Sequence, residues 1–220
     1  MSGGGRMTDA LKVLLASGSA HKIVELRRIL AAQQVAVEVV GLGDVEPYPE
    51  PVEDGATFEE NALIKARAGF AVTGLPTLAD DSGIEVDVLN RMPGVRSARW
   101  AGTHSHDGDN LELLIRQIAD VPEGRRTARF VCAMALVWPG GAEVRRGVVE
   151  GTLATAPRGE HGFGYDPIFV PVGQDLTTAQ MSDQDKDAIS HRGRALRAMV
   201  PVIGQLAQGV REEADDAALS

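Results

Sequence analysis

The sequence predicts an α/β fold with a mixed β-sheet. Short apolar runs of strand character alternate with longer segments whose apolar residues recur at helical spacing. Two strand-like runs, "TARFVCAMALVW" and "AEVRRGVVEGTLA", flank the turn signal "PGG" and read as an antiparallel hairpin. The 220 residues show no internal repeat and no linker, and suffice for one sizeable domain, or one domain with two lobes.

The elements follow in order. "LKVLLAS" (11–17) is a short buried strand. "GSAHKIVELRRILAAQ" is a helix, with Ile23, Leu26, Ile29 and Leu30 on one stripe and Ser19 as N-cap. "VAVEVVGL" is a second strand. "GDVEPYPEPVEDGA" holds three prolines and two glycines and is a loop. "TFEENALIKARAGFAV" is a helix opened by a capping box of Thr57 and Glu60. "LPTLAD" and "GIEVDVL" are two short strands, and "NRMPGVRSARWAG" is irregular. "DGDNLELLIRQIAD" is an amphipathic helix, with Leu111, Leu114, Ile115 and Ile118 on one stripe. In the first hairpin strand both alternating sets of side chains are apolar, as a central strand requires. "RGEHGFGYDPIFVPVG" is a glycine-rich loop leading into a short strand. "DAISHRGRALRAMVPVIGQLA" is a closing helix, expected to kink near Pro201. Residues 1–10 read as a flexible leader, with Met7 a candidate alternative start. Residues 11–207 read as the folded domain, and residues 208–220 as a disordered acidic tail.

Composition narrows the function classes. Hydrophobic content is 44% and charged content 24%, ordinary for a soluble globular chain. A net charge of −9 argues against a nucleic-acid partner, though not against a small anion met by a few basic side chains. Cys132 is the sole cysteine and lies in an apolar run, so it reads as a core thiol and no internal disulfide forms. That fits a cytoplasmic location. No apolar stretch approaches the roughly 18 residues of a membrane span, and the first residues lack the apolar core of a signal peptide.

Five short constellations carry possible chemistry, each with a bland alternative. "ASGSAHK" is a strand–turn–helix start, a natural anion site. Lys22 stands there in the first helical turn, where the dipole disfavours a cation, so it is either a phosphate contact or a surface lysine. Asn61 and Lys65 share a helix face, which is a ligand-binding face or a solvated one. Asp80 and Asp81 sit together at a strand. Neighbours on a strand point to opposite faces, so the two are expected to do different jobs. With Glu53 they offer oxygen ligands for a hard divalent ion and a base for an attacking water; the alternative is a plain Asp-Ser-Gly turn. In "HGFGYDP", two glycines admit a close ligand, Phe163 and Tyr165 offer stacking faces and Asp166 an acceptor; otherwise this is a surface turn. In "KDAISHRGRA", Lys186, His191 and Arg192 gather at a helix start capped by Ser190, as an anion site or an ordinary basic turn. Together the five describe a nucleoside triphosphate site that uses a divalent ion.

Six motifs in order, "ASGSAHKIVEL", "TFEENALIKARA", "ADDSGIEVDVL", "PGVRSARWAG", "GFGYDPIF" and "AISHRGRAL", make the chain resemble the inosine/xanthosine triphosphate pyrophosphatase family, over about residues 11–206. The resemblance implies an elongated mixed sheet with flanking helices, in two lobes around a central nucleotide cleft. It implies Mg2+-dependent hydrolysis of noncanonical purine nucleoside triphosphates (ITP, dITP, XTP) to the monophosphate and pyrophosphate, by a homodimer. By motif position, Asp81 is implied as general base, Lys65 as a further catalytic residue and phosphate contact, and Glu53 and Asp81 as Mg2+ ligands. Ser17, Gly18, Ser19, Ala20, His21, Lys22, Asn61, Lys186 and Arg192 are implied on the substrate, mainly its phosphates. Ser82, Phe163, Gly164, Tyr165, Asp166 and His191 are implied on the nucleoside, with Phe163 stacking on the base. The family usually has Asn where this chain has Ser19. Serine still caps the helix but reaches less far toward a phosphate.

Overall fold

The computed structural model describes residues 10–18, 20–103 and 106–218. The chain runs β1 (Leu11–Leu15), α1 (Ala20–Ala32), β2 (Val37–Gly41), α2 (Phe58–Thr73) and β3 (Thr77–Val86). The two-residue strand β4 (Met92–Pro93), a 3-10 stretch over Gly94–Arg99 and α3 (Asp107–Gln117) come next. The hairpin of β5 (Thr127–Trp138) and β6 (Gly141–Leu153), then β7 (Phe169–Pro171), α4 (Asp183–Ile189) and α5 (His191–Ala218), complete it. The strands form one sheet in the order β2-β1-β3-β5-β6-β7, with β4 pairing to β3 off this path. β1 runs parallel to β2 and β3, and the remaining pairs are antiparallel, so the sheet is mixed.

Three layers of side chains hold the sheet. On one face Leu15, Leu78, Cys132, Met134 and Leu136 pack against Leu26 and Leu30 of α1 and Leu196, Met199 and Ile203 of α5. On the other, Ala79, Val131, Ala133 and Ala135 meet Phe58, Ala62 and Ala66 of α2. Beyond the middle of β3, Ile84 and Val86 join Leu114, Val149, Ile168 and Phe169 in a third cluster. Each fully buried Leu, Ile or Phe contributes roughly 1.5–3 kcal/mol. β5 lies between β3 and β6, as its two apolar faces predict, and Cys132 is buried and free.

Two expectations need correction. The two short strands around Asp80 and Asp81 are one ten-residue strand, β3. It pairs with β5 without interruption from Thr77↔Val137 to Val86↔Ala128, and this ladder holds "DSG" extended where local propensity favours a turn. The ladder also needs Gly83, because a Cβ there would overlap the Ser97 hydroxyl. The closing helix is two helices. Ser190 between them is extended (φ −60°, ψ 144°), and its hydroxyl accepts the Gly193 N–H at 2.9 Å, so it caps α5 as expected. α5 continues through Pro201 to Ala218, across the segment that reads as an acidic tail. The capping box of α2 forms: Thr57 Oγ1 accepts the Glu60 N–H at 3.1 Å, and the Glu60 carboxylate accepts the Thr57 N–H at 3.2 Å. Among the described residues no helix is long and apolar enough to cross a membrane.

Candidate active site

The site is built on the alternation of β3. Leu78 and Asp80 point toward α1 and α5; Ala79 and Asp81 point toward α2. The two neighbouring carboxylates therefore meet different partners. Asp80 is 5% exposed. Lys22 Nζ donates to both its oxygens, at 2.7 and 2.9 Å, and Arg192 Nε donates to Oδ2 at 3.3 Å. Burial alone raises a carboxyl pKa, but the two cations outweigh it and hold Asp80 at about 2. Lys22 and Arg192 each stand in the first turn of a helix, where the dipole disfavours them. Asp80 is the protein anion that offsets both.

Asp81 accepts Asn61 Nδ2 on one oxygen at 3.1 Å and Lys65 Nζ on the other at 3.2 Å. Burial raises its pKa, Lys65 and Asn61 oppose that, and Glu53 adds to the rise. Of the pair, Asp81 is thus the better proton acceptor near neutrality, and Asp80 is fixed as an anion. Lys65 Nζ also donates to Glu53 at 3.1 Å. Burial alone lowers the lysine, but Asp81 and Glu53 reverse this and keep it charged. The loop that carries Glu53 is tied at several points. Arg99 Nη2 donates to the Glu53 carbonyl at 3.3 Å, Gly55 N–H to Asn61 Oδ1 at 2.9 Å and Ala56 N–H to Glu60 at 2.6 Å.

Two cavities meet at Lys22. One, of about 460 Å3, is lined by Ser17, Gly18, Lys22, Glu53, Lys65 and Asp80, with Tyr48 and Glu50 from the proline-rich loop. The other, of about 520 Å3, is lined by Lys22, Ser82, the run Gly162–Asp166, Lys186, His191 and Arg192. The His191 ring stacks on Phe130 at 5.1 Å and 17°. Burial, with Arg192 beside it, lowers its pKa to about 3, so the imidazole is neutral at pH 7. Phe163 is 66% exposed at the mouth, with Lys186 Nζ 5.3 Å from its ring centre. Asp166 is buried and fully engaged: it accepts from Lys186 at 2.5 Å, Thr178 Oγ1 at 2.7 Å and the Phe163 N–H at 2.9 Å. It shapes the loop that presents Phe163 and lines the larger cavity. Tyr165 packs inward and its hydroxyl donates to the Ser97 carbonyl at 2.8 Å.

Most of the residues singled out from sequence thus converge on one pair of cavities. Ser19 lies outside the described residues, and of Ala20 and His21 only the backbone, opening α1, is described. Asn61, which is fully buried, and Asp81 line neither cavity; Asp81 is joined to the smaller one through Lys65, which also holds Glu53. Ser97, Asp107, Phe130 and Thr178 also line the larger cavity without standing out in the sequence. Of these, only Asp107, an acid opening a helix, carries a local signal; its carboxylate accepts the Gly164 N–H at 3.0 Å.

Among the described residues no group of three or more His, Cys, Asp or Glu side chains is set to hold a metal. Glu53 and Asp81 are instead a two-carboxylate set bridged by one ammonium. That donor set fits Mg2+, which usually takes one or two carboxylates and fills its octahedron with waters and substrate phosphates.

The sequence profile of the Ham1 family matches residues 13–202. A protein of Nocardia farcinica named dITP/XTP pyrophosphatase is 61% identical over 198 residues, covering 89% of this chain and 96% of that protein. A crystal structure of a nucleoside-triphosphatase, or dITP/XTP pyrophosphatase, of Mycobacterium abscessus superimposes with a TM-score of 0.76 at 52% identity, over 88% of this chain and all of that one. The Ham1 protein of Staphylococcus aureus does so with a TM-score of 0.80 at 36% identity, over 87% of this chain and 97% of its own.

Proposed function

The chain belongs to the Ham1 family, and from that membership and the geometry of its cavities we propose that it hydrolyses noncanonical purine nucleoside triphosphates (ITP, dITP, XTP) to the monophosphate and pyrophosphate. The observation that carries the reading is the split of Asp80 and Asp81: one carboxylate is locked between two cations where the cavities meet, and its neighbour is held as an acceptor beside Lys65 and Glu53.

The purine occupies the larger cavity with Phe163 against its face, a contact worth roughly 1–3 kcal/mol. His191, being neutral, offers one donor and one acceptor to the base edge. A site that pairs with a 6-oxo purine leaves polar groups unmatched when adenine enters, which selects against ATP. The triphosphate lies in the smaller cavity along Ser17, Gly18 and Lys22, with Lys65, Lys186 and Arg192 adding positive charge. Asp81 accepts a proton from a water whose oxygen attacks the α-phosphorus, and pyrophosphate leaves with the bond electrons. Glu53 and Asp81 would hold Mg2+, which supplies charge neutralisation on the triphosphate and the leaving group. Lys65 keeps the two carboxylates together before the ion enters. The reading includes residues 11–207 as one two-lobed catalytic domain, a homodimer and a cytoplasmic location.

Incubation with a panel of nucleoside triphosphates and Mg2+ tests this. Pyrophosphate is expected from ITP, dITP and XTP, with little from ATP. In 18O-water the label should enter the nucleoside monophosphate. A phosphatase with an aspartyl nucleophile would instead release labelled orthophosphate and leave the diphosphate, and that result refutes the proposal.

A further inference from the structure

Asn61 is fully buried, so it has no surface for a substrate to touch. It nevertheless spends both ends of its amide on the catalytic apparatus. Oδ1 accepts the Gly55 N–H at 2.9 Å, and Nδ2 donates to Asp81 Oδ2 at 3.1 Å. The orientation of the amide is forced, because a backbone N–H only donates and a carboxylate only accepts. Gly55 stands two residues after Glu53, so one side chain ties the loop of one carboxylate to the other carboxylate. We propose that Asn61 is a positioning residue that fixes the spacing of Asp81 and Glu53 without contacting the nucleotide.

The chemistry favours asparagine at this position. Lys65 bridges the same two carboxylates, but as a cation it competes with a divalent ion for their oxygens. When phosphate or metal draws Lys65 away, the neutral amide still holds Asp81, and it adds no charge to repel the ion. An aspartate would repel Asp81, and an alanine would leave the Gly55 N–H without its acceptor. Asparagine is also a poor residue for a helix interior. Here it sits one residue past the capping box of α2, and its backbone N–H donates to the Thr57 carbonyl at 3.2 Å. Gly55 completes the fit, since a Cβ there would come within 2.7 Å of Asn61 Oδ1 and within 2.7 Å of Glu60 Cβ.

The inference rests on Asp81 as general base, so the wild-type protein is assayed alongside. Two variants are compared, Asn61→Ala and Gly55→Ala. The second displaces the amide without removing it, and it carries the test if the first does not fold. For each, kcat with ITP is measured, together with the Kd of a non-hydrolysable α,β-methylene analogue of ITP by calorimetry with Mg2+. A supporting residue of this kind is expected to lower kcat about 10- to 100-fold, with Kd changed less than about threefold. A folded variant that weakens Kd by about 10-fold or more while kcat holds makes Asn61 a substrate contact and overturns the inference. So does a folded Asn61→Ala protein unchanged in both. Failure of the wild-type protein itself to release pyrophosphate removes the enzymatic reading instead, a separate outcome.

Discussion

Removing the charge of Asp80 is expected to destabilise the fold in a pH-dependent way. In Asp80→Asn the shape is kept, but Lys22 and Arg192 lose their shared anion. The magnitude follows from linkage. The carboxyl lies at about 2 in the folded protein against an ordinary value of 3.8, which corresponds to about 2 kcal/mol at pH 7. Breaking a buried pair by deleting one partner costs roughly 3–5 kcal/mol when the other charge is sealed in. Here the side chains of Lys22 and Arg192 are 23% and 17% exposed. Water in the cavities can therefore solvate them, and the lower figure governs. For a chain of this length, about 2 kcal/mol lowers Tm by roughly 4–8 °C. The sign follows from the direction of the shift. A depressed carboxyl contributes fully above its unfolded value, and the contribution is lost as pH falls toward 2. The gap between wild type and variant should therefore shrink to about 1 kcal/mol near pH 3. Urea denaturation at pH 7, 5 and 3 measures this, and comparing two proteins that differ at one group cancels all other titrations. A gap that stays constant with pH, or an Asp80→Asn protein as stable as wild type at pH 7, would refute the clamp.

Other expectations concern turnover and packing. Asp81→Asn should lower kcat by about 10^2- to 10^4-fold, the usual contribution of a general base, and leave nucleotide Kd within a small factor; near-normal turnover removes Asp81 from that role. Phe163→Ala should raise KM for ITP more than it lowers kcat, by about 5- to 150-fold if one stacked base is lost; an unchanged KM argues against stacking. Gly147→Ala places a Cβ against the His191 carbonyl and the Ala195 nitrogen, and overpacking of this sort costs roughly 1–3 kcal/mol. Calorimetry should show a lower Tm for that variant, and an unchanged Tm would mean that α5 can shift without penalty.

Much of the fold was legible because its signals are local. The apolar stripes of α1 and α3, the capping box of α2 and the two-faced apolar pattern of β5 each depend on residues within one or two turns of chain. The misreadings have a common cause in non-local pairing. Asp-Ser-Gly reads as a turn by propensity, yet ten register pairs with β5 hold it extended. Ser190 reads as a cap, but residues 187–189, the end of the helix that precedes it, read as part of the one that follows. At the site, residue type and helix position point to Lys22 and Arg192, because a cation in an unfavourable place needs a reason, and the four-residue spacing of Asn61 and Lys65 points to one helix face. Asp166 and Asn61 were expected to face the ligand because both are polar and sit in motif-like stretches. Asp166 does line the larger cavity but is also tied to Lys186 and Thr178, whereas Asn61 is buried against Asp81 and Gly55, and these partners are distant in sequence or unremarkable in type. Ser97 and Thr178 carry no sequence signal, since small hydroxyl residues line cavities and turns alike.

The period-two geometry of β3 turns two adjacent, chemically identical carboxylates into groups of opposite character. Asp80 shares its face with Leu78, so it meets the first turns of α1 and α5 and the cations they present. Asp81 shares its face with Ala79, so it meets α2 and the Glu53 loop. A one-residue slip of β3 against β5 would exchange these faces, bringing the clamped anion beside Glu53 and exposing the proposed base to Lys22 and Arg192. Both acids would still be present, but the one beside Glu53 would meet neither clamping cation and the base would be held ionised and paired. The uninterrupted β3–β5 ladder is therefore part of the site's chemistry, and Gly83, where a Cβ would overlap Ser97, belongs to that register as much as the hydrogen bonds do.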